Sequence, residues 1–185
     1  MSTSSAQVTC RAAVVVERVR PTLYRAYPLA DPAAVALGTR DEALLEVEIY
    51  LERTFATATA QELMPHLHRE SMEVVGLDVD VHRDPQRVGH GKVPLRLHAV
   101  CIPDDERNVA RGVWGMLPAL SRTFFVHDDE VFVDVATDAA QKAIRADEID
   151  DAQLLEWAQV LEFDLEALDV RIPQHLLASA PRRLS

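Results

Sequence analysis

The chain is short of glycine, cysteine and positive charge, and each shortage closes a class of function. Six glycines in 185 residues form no closely spaced cluster, so the phosphate-binding loop and the dinucleotide fingerprint are both absent. The "GHG" at Gly89 to Gly91 marks a loop and nothing more. Two cysteines, Cys10 and Cys101, are too few for a disulfide framework. Both sit in apolar, strand-like runs, which fits buried free thiols in a reducing cytoplasm. No run of about 18 apolar residues implies a membrane span. The opening "MSTSSAQ" lacks the apolar region of a signal peptide, so a cytoplasmic location is expected. Nineteen basic residues stand against thirty acidic ones, a formal net charge of −11. Such a chain repels phosphate backbones unless it segregates a basic patch. The nearest approaches to one are Arg18, Arg20 and Arg25 around one turn, and Arg182 with Arg183 at the end. Nucleic acid is not an expected partner.

What is present is apolar material in alternating and helical patterns, 48% of the chain, enough for a sizeable core. "CRAAVVVERV" and "TLYRAYPL" read as a hairpin across "RP", and "AVALG" as a third short strand. In "TRDEALLEVEIYLERTF", Thr39 and Glu42 have capping-box spacing. Leu44, Val47, Leu51 and Phe55 recur at helical spacing, so a long helix is predicted with those residues inward. "TAQELMPHL" repeats the box at Thr59 and Glu62 and then meets Pro65, giving a short second helix. "MEVVGLDVDVHR" closes the half as a strand, with Leu77, Val79 and Val81 on one face and Asp78, Asp80 and His82 on the other. After the polar loop "RDPQRVGHG" the order begins again. "KVPLRLHAVCI" places Leu95, Leu97, Ala99 and Cys101 on one face. "VARGVWGML" and "RTFFV" follow as strands.

"HDDEVFVDVATDAAQKAI" mixes strand-favouring and helix-favouring residues, but it aligns with the first long helix, Glu130 against Glu42. It is predicted helical, with Phe132, Val135, Ala136, Ala139 and Ala143 inward. "EIDDAQLLEWAQ", capped by Asp150, is a short helix. "VLEFDLEALDVRI" closes the second half, its phase slipping between Leu165 and Leu168 as at a bulge. The expected class is therefore α+β: two pseudo-repeated β-β-β-α-α-β halves, residues 8–83 and 92–172, in one domain. Their sheets are mostly antiparallel with helices on one face. Residues 1–7 form a polar lead. Residues 173–185, "PQHLLASAPRRLS", read as a tail or linker not needed for the core, with the protein expected to continue beyond Ser185.

Chemistry-bearing patterns are few. "HLHRE", with His66, His68 and Glu70, offers alternate ligands for a metal if extended. His82, His90 and His98 flank the loop between halves, and His82 and His98 would meet across a hairpin. His127 reads as part of a helix cap. The acidic runs Asp104, Asp105, Glu106; Asp128, Asp129, Glu130; and Glu148, Asp150, Asp151 read as a turn and helix starts. Ser71 and Ser121 lack a nucleophile elbow. No catalytic residue, metal or cofactor is implied. Trp114 in "GVWGML" reads first as a buried residue packing on a helix. If that strand instead exposes its face, Trp114 and Met116 would bind a peptide, and sheet edges would accept a partner's strand. Asp78, Asp80, Arg96 and His98 are expected together on a polar sheet face.

"YPLADPAAVALGTRDEALLEVEIYLERTF" resembles small HicB-like domains, in which a strand and a Pro-containing loop lead to G-T-x-x-E-A-L and a helix. Here that motif is Gly38, Thr39, Arg40, Asp41, Glu42, Ala43 and Leu44. The order of elements and the linker-like tail also resemble the accessory domains that precede Clp-type AAA+ ATPase modules in bacterial proteins. That second resemblance implies a non-enzymatic domain recruiting protein substrates or adaptors, and an oligomer formed through the larger ATPase. The first implies an antitoxin or regulator binding a basic protein toxin. A hydrolase using carboxylates or histidines stays open as a third possibility.

Overall fold

The computed structural model describes residues 7–82, 92–103, 112–127, 130–146 and 151–179. The sequence expectations at His90, Asp104, Asp105, Glu106, Asp128, Asp129, Glu148, Asp150, Arg182 and Arg183 lie outside those residues. In chain order the elements are β1 (Gln7–Arg20), β2 (Leu23–Pro28), β3 (Ala36–Gly38), α1 (Arg40–Phe55), α2 (Ala60–Leu63), β4 (Glu73–His82), β5 (Lys92–Pro103), β6 (Gly112–Leu117), β7 (Arg122–His127), α3 (Phe132–Ala146), α4 (Asp151–Ala158), β8 (Glu162–Pro173) and α5 (Gln174–Ser179). The class is α+β, with two four-stranded antiparallel sheets ordered β3-β2-β1-β8 and β4-β5-β6-β7.

The two sheets do not coincide with the two sequence halves. β8, from the end of the second half, pairs with β1. β4, from the end of the first half, pairs with β5. Each half thus lends its closing strand to the other half's sheet. Two compact units result: residues 1–69 with 161–185, and residues 70–160. The expected boundary between residues 83 and 92 falls inside the second unit, at the β4–β5 connection. A closing strand pairs wherever its backbone groups and apolar face are satisfied, and the partner each one finds belongs to the other half.

In the first unit Cys10, Ala12, Val14 and Val16 of β1 pack with Ala43, Val47, Leu51 and Phe55 of α1 and with Val170 and Ile172 of β8. The helix starts as its sequence dictates: Thr39 and Glu42 form the reciprocal capping box, as do Thr59 and Glu62 at α2. Ala43 takes the buried position expected of Leu44, which is only partly buried. The tail expectation is corrected. Leu176 of α5 is 2% exposed and joins this core, because "HLL" supplies an apolar side chain one turn past β8. The expected bulge is corrected too. β8 runs in register with β1 from Glu162↔Arg18 to Pro173↔Gln7 without a shift. Its apparent slip arises because its apolar residues change face midway: Phe163, Leu165 and Ala167 lie on one face, Leu168, Val170 and Ile172 on the other, with Glu162, Asp164, Glu166, Asp169 and Arg171 in the remaining places.

In the second unit Leu77, Val79, Leu95, Leu97 and Ala99 meet Ala136, Ala140, Ala143 and Ile144 of α3 and Leu154 and Trp157 of α4. The predicted helix at 132–146 is present, and the backbone N–H of His127 donates to Glu130 Oε2 at 2.8 Å. The equivalent bond at α1 runs from the Thr39 N–H to Glu42 Oε2 at 2.9 Å. At His127 the bond closes a turn from β7, before α3 starts at Phe132, whereas Thr39 caps α1 directly.

Candidate interaction surface

Antiparallel register decides which side chains share a face. In the second sheet the helix-free face carries Asp78 opposite Arg96, His98 opposite Gly76, Asp80 opposite Pro94, Val100 opposite Met116, and Trp114 opposite Ile102 and Phe125. All six residues singled out from the sequence, Trp114, Met116, Asp78, Asp80, Arg96 and His98, lie on this one face. They do not form one cluster. Arg96 and Ile102 are six residues apart on β5, about 20 Å at ~3.3 Å per residue. The ionic group sits at one end and Trp114 at the other, with the buried Val100 and Met116 between them. Met116, at 8% exposure, separates two surface regions and is not itself a surface residue.

The aromatic end is built by two glycines. A Cβ on Gly115 would come within 2.2 Å of the Phe124 ring, and one on Gly112 within 2.7 Å of the Phe125 ring. Each glycine thus lets a β7 phenylalanine lie across β6: Phe124 on the helix side, Phe125 on the other. Phe125 then holds Trp114 edge-to-face at 5.2 Å and His127 at 5.1 Å. Trp114 does not pack on a helix, because its place in the alternation puts it on the opposite face from α3. It is 46% exposed and held by an aromatic neighbour.

At the ionic end the Arg96 guanidinium lies over Gly76, its Nη2 3.3 Å from where a Cβ would stand. Burial lowers the His98 pKa below the ordinary imidazole value, and the charge of Arg96 lowers it further. The expected meeting of His82 and His98 does not occur. His82 pairs with Lys92 and His98 with Gly76, because the β4–β5 turn lies beyond His82 and places His98 well down the strand.

The strand-end bonds from the Thr39 N–H to Glu42 and from the His127 N–H to Glu130 anchor an equivalence between the halves. Thr39 matches His127, so Leu37 matches Phe125. Following the cross-strand pairs, Arg25 matches Trp114 and Glu17 matches Ile102. Six residues back along β1 and β5, Arg11 then matches Arg96. Their cross-strand partners are Asp169 and Asp78, so the same Arg–Asp pair stands at the same place in both sheets. Nothing in the anchoring step required that agreement, and it supports the two halves being repeats with exchanged closing strands.

The sequence reading missed the counterpart of Trp114. In the first sheet the helix-free face buries Glu17, at 2% exposure. Arg25 Nε donates to Glu17 Oε2 at 2.5 Å, and the Tyr27 hydroxyl donates to Glu17 Oε1 at 3.0 Å. Burial, and then the Glu17 charge, push the Tyr27 pKa well up. The signal was the unbroken run "AAVVV" before Glu17. Five successive buried residues mean that β1 is covered on both faces, so the next residue on the odd face is buried as well.

The "HLHRE" segment is not extended over its first histidine, as alternate metal ligands would require. His66 lies in a short turn with its ring edge-on to Phe55 at 5.2 Å, and the His68 N–H donates to the Arg11 carbonyl at 2.8 Å. Among the described residues no three His, Cys, Asp or Glu side chains gather as metal ligands. Cys10 is buried and its thiol is pushed up to about 11, chiefly by burial, so it is protonated and unreactive at neutral pH. Among the described residues, no helix is long and apolar enough to cross a membrane. Comparison with protein-family models, with curated proteins and with solved structures finds no match to this chain.

Proposed function

We propose that the chain is a protein-interaction module that engages a partner through the aromatic end of its second sheet, and that it recruits substrates or adaptors for a larger ATPase. The observation that carries the binding role is Trp114. A large aromatic side chain, nearly half exposed and held by Phe125, has the character of an interface anchor. It offers wide contact area with little rotamer freedom left to lose. β7 is the terminal strand of that sheet, so an extended partner segment can add beside it and lay a side chain against Phe125 and Trp114. The ATPase context rests on the order of elements alone. The G-T-x-x-E-A-L segment does helix-capping work through Thr39 and Glu42, which accounts for the motif without a toxin.

The test is photocrosslinking from Thr123, an exposed residue on the same face of β7, in extracts of the source cell. Affinity of the captured partner for Trp114→Ala follows. A hot-spot tryptophan is expected to cost about 2 kcal/mol of binding, or roughly thirtyfold. An unchanged affinity sinks the proposal.

A further inference from the structure

We propose that the outward stripe of α1 is a second docking surface, and that its occupant is a basic amphipathic helix of a partner protein. α1 turns Ala43, Val47, Leu51 and Phe55 inward. Leu45 and Ile49, one turn apart, fall on the opposite side, where solvent-facing helices carry polar residues. They are 54% and 40% exposed. Around them the helix carries Asp41, Glu42, Glu46, Glu48 and Glu52 against Arg53, with Arg40 paired to Glu166 and Arg171 reaching Glu52. An apolar stripe rimmed by acid complements a helix with an apolar stripe rimmed by base.

The buried face of α3 allows a comparison by face. Ala136, Ala140 and Ile144 of α3 are buried with the spacing of Val47, Leu51 and Phe55 of α1. Two residues to either side of Ala136 stand Asp134 and Asp138, where α1 has Leu45 and Ile49 two residues to either side of Val47. In α3 those outward positions are exposed and charged, and Asp138 pairs with Lys142 at 2.5 Å. The fold therefore tolerates carboxylates at both places. On the outward side of α1 Leu45 and Ile49 do nothing for the core that aspartate does not do on the outward side of α3, so their apolar character is left for a partner. This surface belongs to the first unit and Trp114 to the second, so the two proposals fail separately.

The probe is a synthetic helical peptide with leucine at a and d heptad positions and lysine elsewhere, titrated into the isotope-labelled full chain and followed by amide shifts. Shifts concentrated on Arg40–Phe55 are expected, with binding weakened roughly tenfold in Leu45→Asp/Ile49→Asp at unchanged melting temperature. Glu46→Gln/Glu48→Gln, which leaves the apolar stripe intact, is expected to weaken binding and flatten its salt dependence. Equal binding of a scrambled leucine–lysine peptide overturns the proposal, because general acidity would then suffice. Shifts spread equally over α3, or wild-type affinity in both variants, overturn it as well. Self-association of the free chain that Leu45→Asp/Ile49→Asp abolishes would make a second copy the occupant, and overturns it too.

Discussion

Individual residues carry the most unequal shares of this molecule's stability and recognition. Glu17 is a buried acid on a strand of alanine and valine, tolerable because Arg25 and Tyr27 both donate to it. Breaking such a pair from one side strands the other charge, at about 3–5 kcal/mol. Glu17→Ala is therefore expected to lower stability by that order in urea unfolding, with Tyr27→Phe costing only about 1 kcal/mol. Comparable costs for the two would show that the Arg25–Glu17 ion pair matters no more than the tyrosine hydrogen bond. Two histidines contribute to the acid limb. Burial lowers the pKa of both His66 and His98 below the ordinary 6.5, so the unfolded chain takes up protons before the native one does. Stability is then fully present above about pH 6.5 and drains away as pH falls below it. His66→Leu with His98→Gln is expected to flatten the melting temperature between about pH 7.5 and pH 5 relative to the parent chain. An unaltered slope would assign the acid limb to other groups.

Elements were legible where one periodicity dominated and obscure where two faces competed. α1 could be read from Thr39, Glu42 and a four-residue apolar spacing, all local facts. α3 needed its partner in the first half, because valine and phenylalanine favour strands until their spacing is compared with that of α1. β8 misled because its apolar side changes from one face to the other midway along the strand, and period-2 reasoning assumes that one face meets water throughout. Trp114 was visible as a candidate, but its exposure was not. That exposure depends on the register that sets Trp114 on the helix-free face, with Gly112 admitting the Phe125 ring beside it, a pairing between residues separated by a turn. Gly115→Ala tests the close packing of the same hairpin on its helix side. With the Phe124 ring 2.2 Å from the new methyl group, the hairpin must shift. A loss of about 1–3 kcal/mol is expected for such overpacking, with Trp114 fluorescence perturbed. A neutral substitution would mean that the rings have room to move.

At the scale of the whole molecule the closing strands matter most. Pseudo-repetition could be read from the sequence, yet the exchange of β4 and β8 could not. A closing strand with suitable alternation pairs equally well with its own half or with the other, and only the assembled register reveals which. The exchange makes the second unit continuous in sequence and the first discontinuous. Deleting residues 161–185 removes β8 and α5, and with them Val170, Ile172 and Leu176 from the first core. Hydrogen exchange on that truncated chain is expected to show lost protection in β1 and β2 but native protection in β5 to β7. Intact protection of β1 would refute the assignment of β8 to that sheet.

The central claim is that the aromatic end of the second sheet binds a protein, and it turns on one side chain. The direct measurement is the affinity of the crosslinked partner for Trp114→Ala beside the parent chain, with melting curves on both. A fall in affinity of roughly thirtyfold at unchanged melting temperature is the predicted result. Equal affinities, with both proteins folded, would contradict it.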